Sequence, residues 1–135
     1  MLTIGKVAAH ANTTTDTLRF YEREGLLAPA SKSASGYRQY GHDAVQRIQF
    51  IKHAQQCGFA LAEIREMLNL RRQDSACCND VRSMAIEKKL QIEHKIKSLQ
   101  TMARALDGLI EVCTDEKLPA DECPILSALD KAIVP

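Results

Sequence analysis

Five cysteines are the side chains of this sequence best suited to chemistry. They are Cys57, Cys77, Cys78, Cys113 and Cys123 in a chain of 135 residues. The N-terminal stretch lacks the apolar segment of a secretory signal, so we expect a cytoplasmic location in which thiols stay reduced. Reduced thiolates bind soft or borderline ions such as Zn, Cd, Pb, Hg and Cu(I), or are reversibly oxidised. The cysteines therefore favour metal or redox chemistry over disulfides.

The positions of the cysteines divide them into two groups. Cys57 precedes Gly58 at the predicted end of a helix, and we interpret it as a small buried or half-buried thiol. The other four flank a long predicted helix. Cys78 and Cys113 are 35 residues apart, which corresponds to roughly 50 Å along a continuous helix. These two thiols therefore cannot bind one metal ion within one chain.

Composition and motifs exclude several classes of protein. Lys and Arg number 18 against 17 Asp and Glu, so the chain is not a globally basic nucleic-acid coat protein. No run of about 18 apolar residues is present, which predicts no membrane span. A phosphate-binding glycine loop, a nucleophile elbow and an H-E-x-x-H motif are also absent, so we expect no enzyme activity. Aromatic residues make up 4% of the chain, which suits a mainly helical fold.

Residues 3–25 predict two short helices joined by a tight turn, which is the helix-turn-helix pattern. Thr13 and Asp16 resemble a capping box that opens the second helix, from about residue 14 to residue 24. Gly25 then ends that helix, because glycine readily adopts the backbone conformation that follows a helix. The apolar residues expected on the buried faces of the two helices are Ile4, Val7, Ala8, Leu18 and Tyr21.

Residues 26–41 predict a small hairpin, of the kind called a wing when it lies beside a helix-turn-helix. Its turn is expected near Ser35 and Gly36. Residues 42–72 predict two further helices. Their expected buried residues are Ala44, Ile48, Ile51, Leu61, Ile64, Met67 and Leu68.

A long helix is predicted from near Asn79 to about Cys113, with apolar residues in an a/d heptad repeat. The repeat comprises Ile92, Ile96, Leu99, Ala103, Leu106, Ile110 and Cys113. A solitary helix of this length has no partner for its apolar stripe, so we infer a homodimer joined through a coiled coil. Residues 114–135 predict a polar loop and a short helix opened by Pro124.

The charge distribution points to nucleic acid. Residues 1–76 carry 10 Lys and Arg against 7 Asp and Glu, so the half with the helix-turn-helix is basic. An ordinary solvated surface explains the charges alone equally well. The polar residues expected on the outer surfaces of the second helix and the hairpin are Thr15, Asp16, Arg19, Arg23, Lys32, Tyr37 and Arg38.

Four stretches carry a more specific pattern. They are residues 3–8 (TIGKVA), 17–27 (TLRFYEREGLL), 36–40 (GYRQY) and 57–64 (CGFALAEI). Together they resemble the MerR family of bacterial transcription regulators, and the similarity covers essentially the whole chain. The resemblance implies a mainly α fold in three segments. A winged helix-turn-helix DNA-binding domain (1–72) precedes a dimerisation helix that forms an antiparallel coiled coil (73–112), and then a metal-binding loop and short C-terminal helix (113–135).

The resemblance also implies DNA-binding residues and partners. Arg19 and Tyr21 would contact DNA from the second helix, while Tyr37 and Arg38 of the wing would hold the DNA backbone. Lys32 occupies a place where the family often has a basic residue. Arg23 is added as an outer-surface cation of the second helix, whereas acidic Asp16 is assigned no base contact. The expected partners are a second copy of the chain, double-stranded promoter DNA and, through that DNA, RNA polymerase.

The metal site follows from the antiparallel dimer that the resemblance implies. Cys78 of one subunit would lie beside Cys113 and Cys123 of the other, and metal-sensing members carry cysteines at these positions. Three thiolates favour a divalent ion and argue against Cu(I), whose sensors have a non-thiol residue in place of Cys78. Cys77 is a fourth ligand, or it turns the backbone of its neighbour, or it has no role. In the alternative without metal binding, Cys113 is only a core residue of the heptad repeat and Cys123 is a loop thiol with no role.

The resemblance therefore predicts an activator of metal efflux or resistance genes. It would respond to Zn, Cd or Pb by distorting the promoter. An Hg(II)-responsive regulator and a thiol-redox regulator of the same fold are the alternatives.

Overall fold

The computed structural model describes residues 1–29 and 31–131, apart from the side chain of Arg38. It contains two compact units, Met1–Lys88 and Lys89–Pro135. Helices dominate both units, which confirms the predicted mainly α fold. None of the helices described is both long and apolar enough to cross a membrane.

Among its described residues, the first unit contains three short strands and four complete helices, and it includes the start of a long fifth helix. In chain order they are β1 (Leu2–Thr3), α1 (Ile4–His10), α2 (Thr15–Arg23), β2 (Ser31–Lys32), β3 (Arg38–Tyr40), α3 (Asp43–Gln56), α4 (Leu61–Arg71) and α5 (Cys78–Glu111). Most of α5 belongs to the second unit. There it is followed by a single 3₁₀ turn (Ala120–Glu122) and by α6 (Pro124–Asp130), which Pro124 opens as predicted.

The helix-turn-helix consists of α1, a four-residue turn and α2. Within the turn, Asn12 adopts a left-handed backbone with φ 55°, a conformation that asparagine tolerates better than most residues. The predicted capping box at Thr13 is wrong by one residue. The extended residue before α2 is Thr14, and its Oγ1 accepts a hydrogen bond from the Thr17 backbone N–H at 3.1 Å. Gly25, with φ 74°, follows the end of α2 as predicted.

The hairpin forms as predicted, but it belongs to a three-stranded antiparallel sheet with the order β1-β3-β2. Lys32 pairs with Arg38 across the hairpin, and Leu2 pairs with Tyr40 on the other side of β3. Gly36 has φ 86° in the turn, a backbone conformation that a side chain would disfavour. Strand β1 was not predicted, since two residues are too few to show a period of two.

The core of the first unit is formed by apolar residues from α1, α2, α3 and α4 and from the hairpin. Ile48 and Ile51 of α3 and Ile64 of α4 are completely buried. The predicted buried faces are largely confirmed, although Ile4, Leu61 and Met67 are only half-buried. The whole core consists of Val7, Ala8, Ala11, Leu18, Tyr21, Leu26, Leu27, Tyr40, Ala44, Ile48, Ile51, Ile64 and Leu68.

Cys57 is exposed, which corrects its predicted place in or near the core. It follows the last residue of α3 and precedes Gly58, whose φ is 91°. The chain turns there, so the side chain of Cys57 lies beyond the buried face of α3.

An ion pair joins α4 to the first turns of α5. Lys88 Nζ lies 2.8 Å from Glu63 Oε1, and the same ammonium lies 5.8 Å from the centre of the Phe59 ring. Glu63 Oε1 also accepts a hydrogen bond from the Ala60 backbone N–H at 2.8 Å. The hydrogen bond from Lys88 and then that from Ala60 lower the pKa of the Glu63 carboxyl.

This pairing predicts a pH-dependent contribution to stability. The pKa of Glu63 is lower in the folded than in the unfolded chain, so its contribution is complete above the unfolded value of about 4.3 and is lost as pH falls through the folded value. Glu63→Gln should therefore lower the free energy of unfolding at pH 7 by less than about 1 kcal/mol, because the pair is partly exposed. The difference from the unmodified protein should shrink toward pH 3.

Urea unfolding at several pH values measures this effect. Glu66→Gln, at an exposed position of the same helix, is the control. A difference that stays constant from pH 7 to pH 3 would contradict the assigned role of Glu63.

Candidate nucleic-acid interface and metal centre

The outer face of α2 presents cations to solvent. Arg19 and Arg23 are exposed, whereas Leu18 and Tyr21 on the opposite face are buried. Arg19 Nη1 lies 3.4 Å from Asp16 Oδ1, and half of the Arg19 side chain is accessible. An exposed pair of this kind contributes little free energy, so an approaching phosphate can replace Asp16 as the partner of Arg19.

Arg23 has an aromatic neighbour on the same face. Its guanidinium carbon lies 5.9 Å from the centre of the Phe20 ring, which is itself exposed. A cation over an aromatic face is weakly attracted by the ring and loses some of its rotational freedom. Arg23 is therefore held at the outer surface with its charge accessible.

Tyr21 differs from the other predicted DNA-binding residues because its ring belongs to the core. Only 2% of the residue is exposed, and its hydroxyl donates a hydrogen bond to Gln55 Oε1 at 2.8 Å. Burial raises the pKa of the Tyr21 phenol. Tyr21 and Gln55 also line a shallow surface hollow with Thr17 and Lys52. The DNA contact of Tyr21 stays a prediction, and its hydrogen bond shows a second role in fixing α2 against α3.

Lys52 of α3 holds the turn that precedes α2. Its ammonium donates hydrogen bonds to the carbonyl oxygens of Ala11 at 3.2 Å and Asn12 at 2.9 Å. These carbonyls follow the last residue of α1, where acceptors lack partners within the helix. The lysine therefore acts as a remote cap, a role that sequence reasoning missed because the partners are about 40 residues apart.

Two arginines hold the segment that follows α2. Arg47 Nε donates to the Leu26 carbonyl oxygen at 2.7 Å. Arg65 Nη2 donates to the Glu24 carbonyl oxygen, and it also lies 3.9 Å from the Glu24 carboxylate. Burial, followed by the charge of Arg72, lowers the pKa of Arg47. Together with Lys52, these two residues fix both ends of α2 to the α3 and α4 pair.

The wing exposes two of the predicted DNA-binding residues. Tyr37 is 71% exposed beside the turn, and Lys32 is exposed on β2. The turn is tightened by the Ser33 hydroxyl, which accepts a hydrogen bond from the Tyr37 backbone N–H at 3.1 Å. The side chain of Arg38 lies outside the described part of the structure, so its DNA contact stays a prediction.

The structure brings Cys113 and Cys123 to one place. Helix α5 ends at Glu111, and the following loop returns so that both half-buried cysteines line one open hollow of about 400 Å³. Asp115 and Glu116 line the same hollow. The predicted return of the loop is therefore present within a single chain.

Cys77 and Cys78 lie at the other end of α5, and both are exposed. Helix α5 begins at Cys78, so Cys77 precedes its first residue. The two cysteines line an open hollow of about 240 Å³ together with Arg71 at the end of α4. Four of the five cysteines thus line two hollows, one at each end of α5.

Within the described residues of one chain, no three His, Cys, Asp or Glu side chains lie close enough together to hold a metal ion. This agrees with the distance argument from the sequence, because Cys78 and the pair Cys113 and Cys123 flank a helix of 34 residues. The donors themselves fit a soft or borderline ion, since thiolates are the preferred ligands of such ions. One chain supplies two sets of thiols, one at each end of α5.

The fold and the cationic face of α2 define a winged helix-turn-helix DNA-binding protein. Residues 2–70 match the family described as MerR HTH family regulatory protein, and residues 45–109 match the family described as MerR, DNA binding. The chain belongs to the MerR family of transcription regulators. Membership of this family also confirms that the protein is not an enzyme.

Several relatives are similar over nearly the whole chain. The regulator ZntR of Escherichia coli K12 is 34% identical over 97% of this chain and 94% of its own length. The mercuric resistance operon regulatory protein of Bacillus cereus is 38% identical over 95% and 96%, respectively. The crystal structure of PbrR691 from Ralstonia metallidurans CH34 in complex with lead(II) has a TM-score of 0.85 and 34% identity, and it covers 96% of this chain and 99% of that chain.

The cap of α2 gives a test of the recognition-helix geometry. Thr14→Ala removes the hydroxyl that satisfies the Thr17 N–H, so it should lower the free energy of unfolding by about 1 kcal/mol. Thr13→Ala removes the neighbouring hydroxyl and should cost clearly less. Denaturant unfolding of both variants measures the effect, and equal losses would contradict the assignment of Thr14 as the cap.

Proposed function

We propose that the protein is a homodimeric activator that binds promoter DNA and responds to a divalent soft metal ion, Zn, Cd or Pb. The observation that carries the proposal is the shared hollow of Cys113 and Cys123, two thiols that the return of the nine residues between them brings together. Relatives whose names refer to mercuric resistance, and a similar structure that holds lead(II), support the same chemistry. Hg(II) is the alternative ion.

The dimer is supported by the surface of α5. No residue of this helix is buried in the described single chain. Large apolar side chains at heptad spacing are instead exposed, and an exposed apolar stripe of this length calls for a partner helix. The large exposed members of the repeat are Ile92, Ile96, Leu99, Leu106 and Ile110.

The shared metal site follows from an antiparallel arrangement of two such helices. A helix of 34 residues extends about 50 Å, so Cys78 of one chain meets Cys113 and Cys123 only if they come from the other chain. A bound divalent ion supplies a cross-link between thiolates of the two subunits. Cys113 and Cys123 would order their loop against the partner, and Cys78 would connect that loop to the base of the partner's DNA-binding domain.

In the proposed dimer, the DNA-binding residues belong to two DNA-binding domains whose separation is set by the coiled coil. Arg19 and Arg23 of each α2, with Lys32, Tyr37 and Arg38 of each wing, would hold a near-palindromic promoter site. A change in the relative position of the two DNA-binding domains would bend and untwist the DNA between them. The shape of the promoter would then switch transcription on or off. RNA polymerase would then recognise the distorted promoter. The controlled genes would encode metal efflux or resistance.

The proposed role of Arg19 predicts weaker and less salt-dependent DNA binding by Arg19→Ala. Because each subunit of the proposed dimer contributes one Arg19, the variant removes two phosphate-binding cations and should reduce the slope of log affinity against log salt by about 2. Fluorescence anisotropy of a labelled promoter duplex at several salt concentrations measures the slope. Lys95→Ala, at an exposed position of α5, removes an equal charge outside the interface. An unchanged affinity and slope for Arg19→Ala would refute this contact.

The proposed metal response is tested by transcription in vitro from a promoter that the reduced protein binds. Zn, Cd, Pb, Hg and Cu(I) are compared, and thiolate absorbance is recorded in parallel. Divalent ions should activate the unmodified protein, and Cys78→Ser should abolish activation while it retains DNA binding. Cys57→Ser removes an exposed thiol outside the proposed site and should activate normally. Activation by an oxidant but by none of the metals would replace the metal site with thiol-redox sensing.

A further inference from the structure

We propose that Cys77 is a fourth thiolate ligand of the shared site and makes it selective for ions that prefer four ligands. This inference rests on the proposed function, because it adds a ligand to Cys78 and to the partner's Cys113 and Cys123. A site of three thiolates would need only Cys78 from this end of α5. The chain nevertheless contains a second cysteine, Cys77, directly before it. The structure supplies three observations for a role of Cys77 beside it.

The first observation is the position of Cys77 outside the helix. Consecutive side chains inside an α-helix point about 100° apart, which would separate two adjacent thiols. Because α5 begins at Cys78, Cys77 lies outside the helix, and the rotation of about 100° between consecutive helical residues does not apply to it. Its backbone is nevertheless fixed, since the Cys77 N–H donates to Asp80 Oδ2 at 2.8 Å and the Asp80 N–H donates to the Cys77 carbonyl oxygen at 3.0 Å.

The second observation is that both thiols line the same hollow. Its volume is about 240 Å³, and none of its described lining residues is Asp, Glu or His. Soft thiolates are therefore the strongest metal ligands that this hollow offers, and hard oxygen-preferring cations are not favoured there. Apart from Arg71 and the two cysteines, the lining is apolar and consists of Phe50, Met67, Leu70, Ala76 and Val81.

The third observation is a cation placed to balance the extra charge. Four thiolates around a divalent ion carry a net charge of −2, which is costly beside an apolar surface. Arg71 lines the same hollow, and its guanidinium carbon lies 5.0 Å from the centre of the Phe50 ring. The stacked ring holds this charge close to the thiols, so the hollow tolerates a fourth thiolate.

Coordination number gives the expected selectivity. Zn²⁺ is usually four-coordinate and tetrahedral in protein sites, and Cd²⁺ accepts the same set of thiolates, whereas Pb²⁺ and Hg²⁺ accept three. Loss of a hydrogen-bond partner of a ligand already costs about tenfold or more in metal affinity, so loss of a direct ligand in Cys77→Ser should reduce the affinity for Zn²⁺ and Cd²⁺ by at least that factor. Its affinity for Pb²⁺ should change by less than about twofold, since three thiolates remain. An equal loss of affinity for Zn²⁺, Cd²⁺ and Pb²⁺ would contradict the proposed selectivity.

Alkylation of the full-length reduced protein, mapped by mass spectrometry, tests the ligand set directly. After saturation with Cd²⁺, we expect Cys77, Cys78, Cys113 and Cys123 to be protected, while exposed Cys57 reacts. If Cys77 reacts as fast as Cys57 and the other three are protected, the fourth ligand is wrong and the proposed function stands. If Cd²⁺ protects none of the four, both proposals fail.

Cadmium–thiolate absorbance separates ligation from simple shielding of Cys77. The Cys77→Ser variant should lose about a quarter of the charge-transfer intensity, because three of four thiolates remain. Cys57→Ser should lose none, and it serves as the matched control for a thiol removed from the surface. Full intensity in Cys77→Ser would show that Cys77 is shielded without being bound and would overturn the proposal.

Discussion

The DNA-binding unit depends on how α3 holds the helix-turn-helix. Ile48 and Ile51 fill the centre of the core, and the exposed side of the same helix supplies polar anchors. Lys52 caps the turn before α2, and Gln55 accepts the hydrogen bond of Tyr21 on α2. Because these bonds join parts of the chain that lie 34 to 41 residues apart, α2 is positioned by tertiary contacts. Its cations can then face outward on a rigid support.

The second unit obeys a different constraint, because the apolar side chains along α5 are not buried within the described single chain. Helix α5 has no buried residue along its 34 positions, so little burial of its own stabilises it. An antiparallel coiled coil would bury the apolar side chains of α5 and so stabilise the helix. It would also bring the two sets of thiols together. In the proposed function, dimerisation and metal binding would therefore depend on the same helix. The first turns of α5 belong to the first unit, where Lys88 forms an ion pair with Glu63 of α4.

The cysteines illustrate how far residue spacing alone can predict a site. The separation of Cys78 from Cys113 was enough to predict that these two thiols cannot bind one metal ion within one chain, and the structure places them at opposite ends of α5. The return of Cys123 toward Cys113 was also predicted from loop length and is present. Burial was harder to predict. Cys57 was placed in or near the core but is exposed, because a one-residue step past a helix end changes the direction of a side chain.

The sequence by itself determined the features that depend on short-range patterns. These include the helix periods, the glycines that follow α2 and α3, the hairpin turn at Gly36, and Pro124 at the start of α6. Only the tertiary structure decided that Lys52, Arg47 and Arg65 bond to distant carbonyl oxygens, and that two-residue β1 joins the wing. The physical reason is range. Periodicity and capping act within about four residues, whereas these contacts depend on which surfaces meet after the chain has packed.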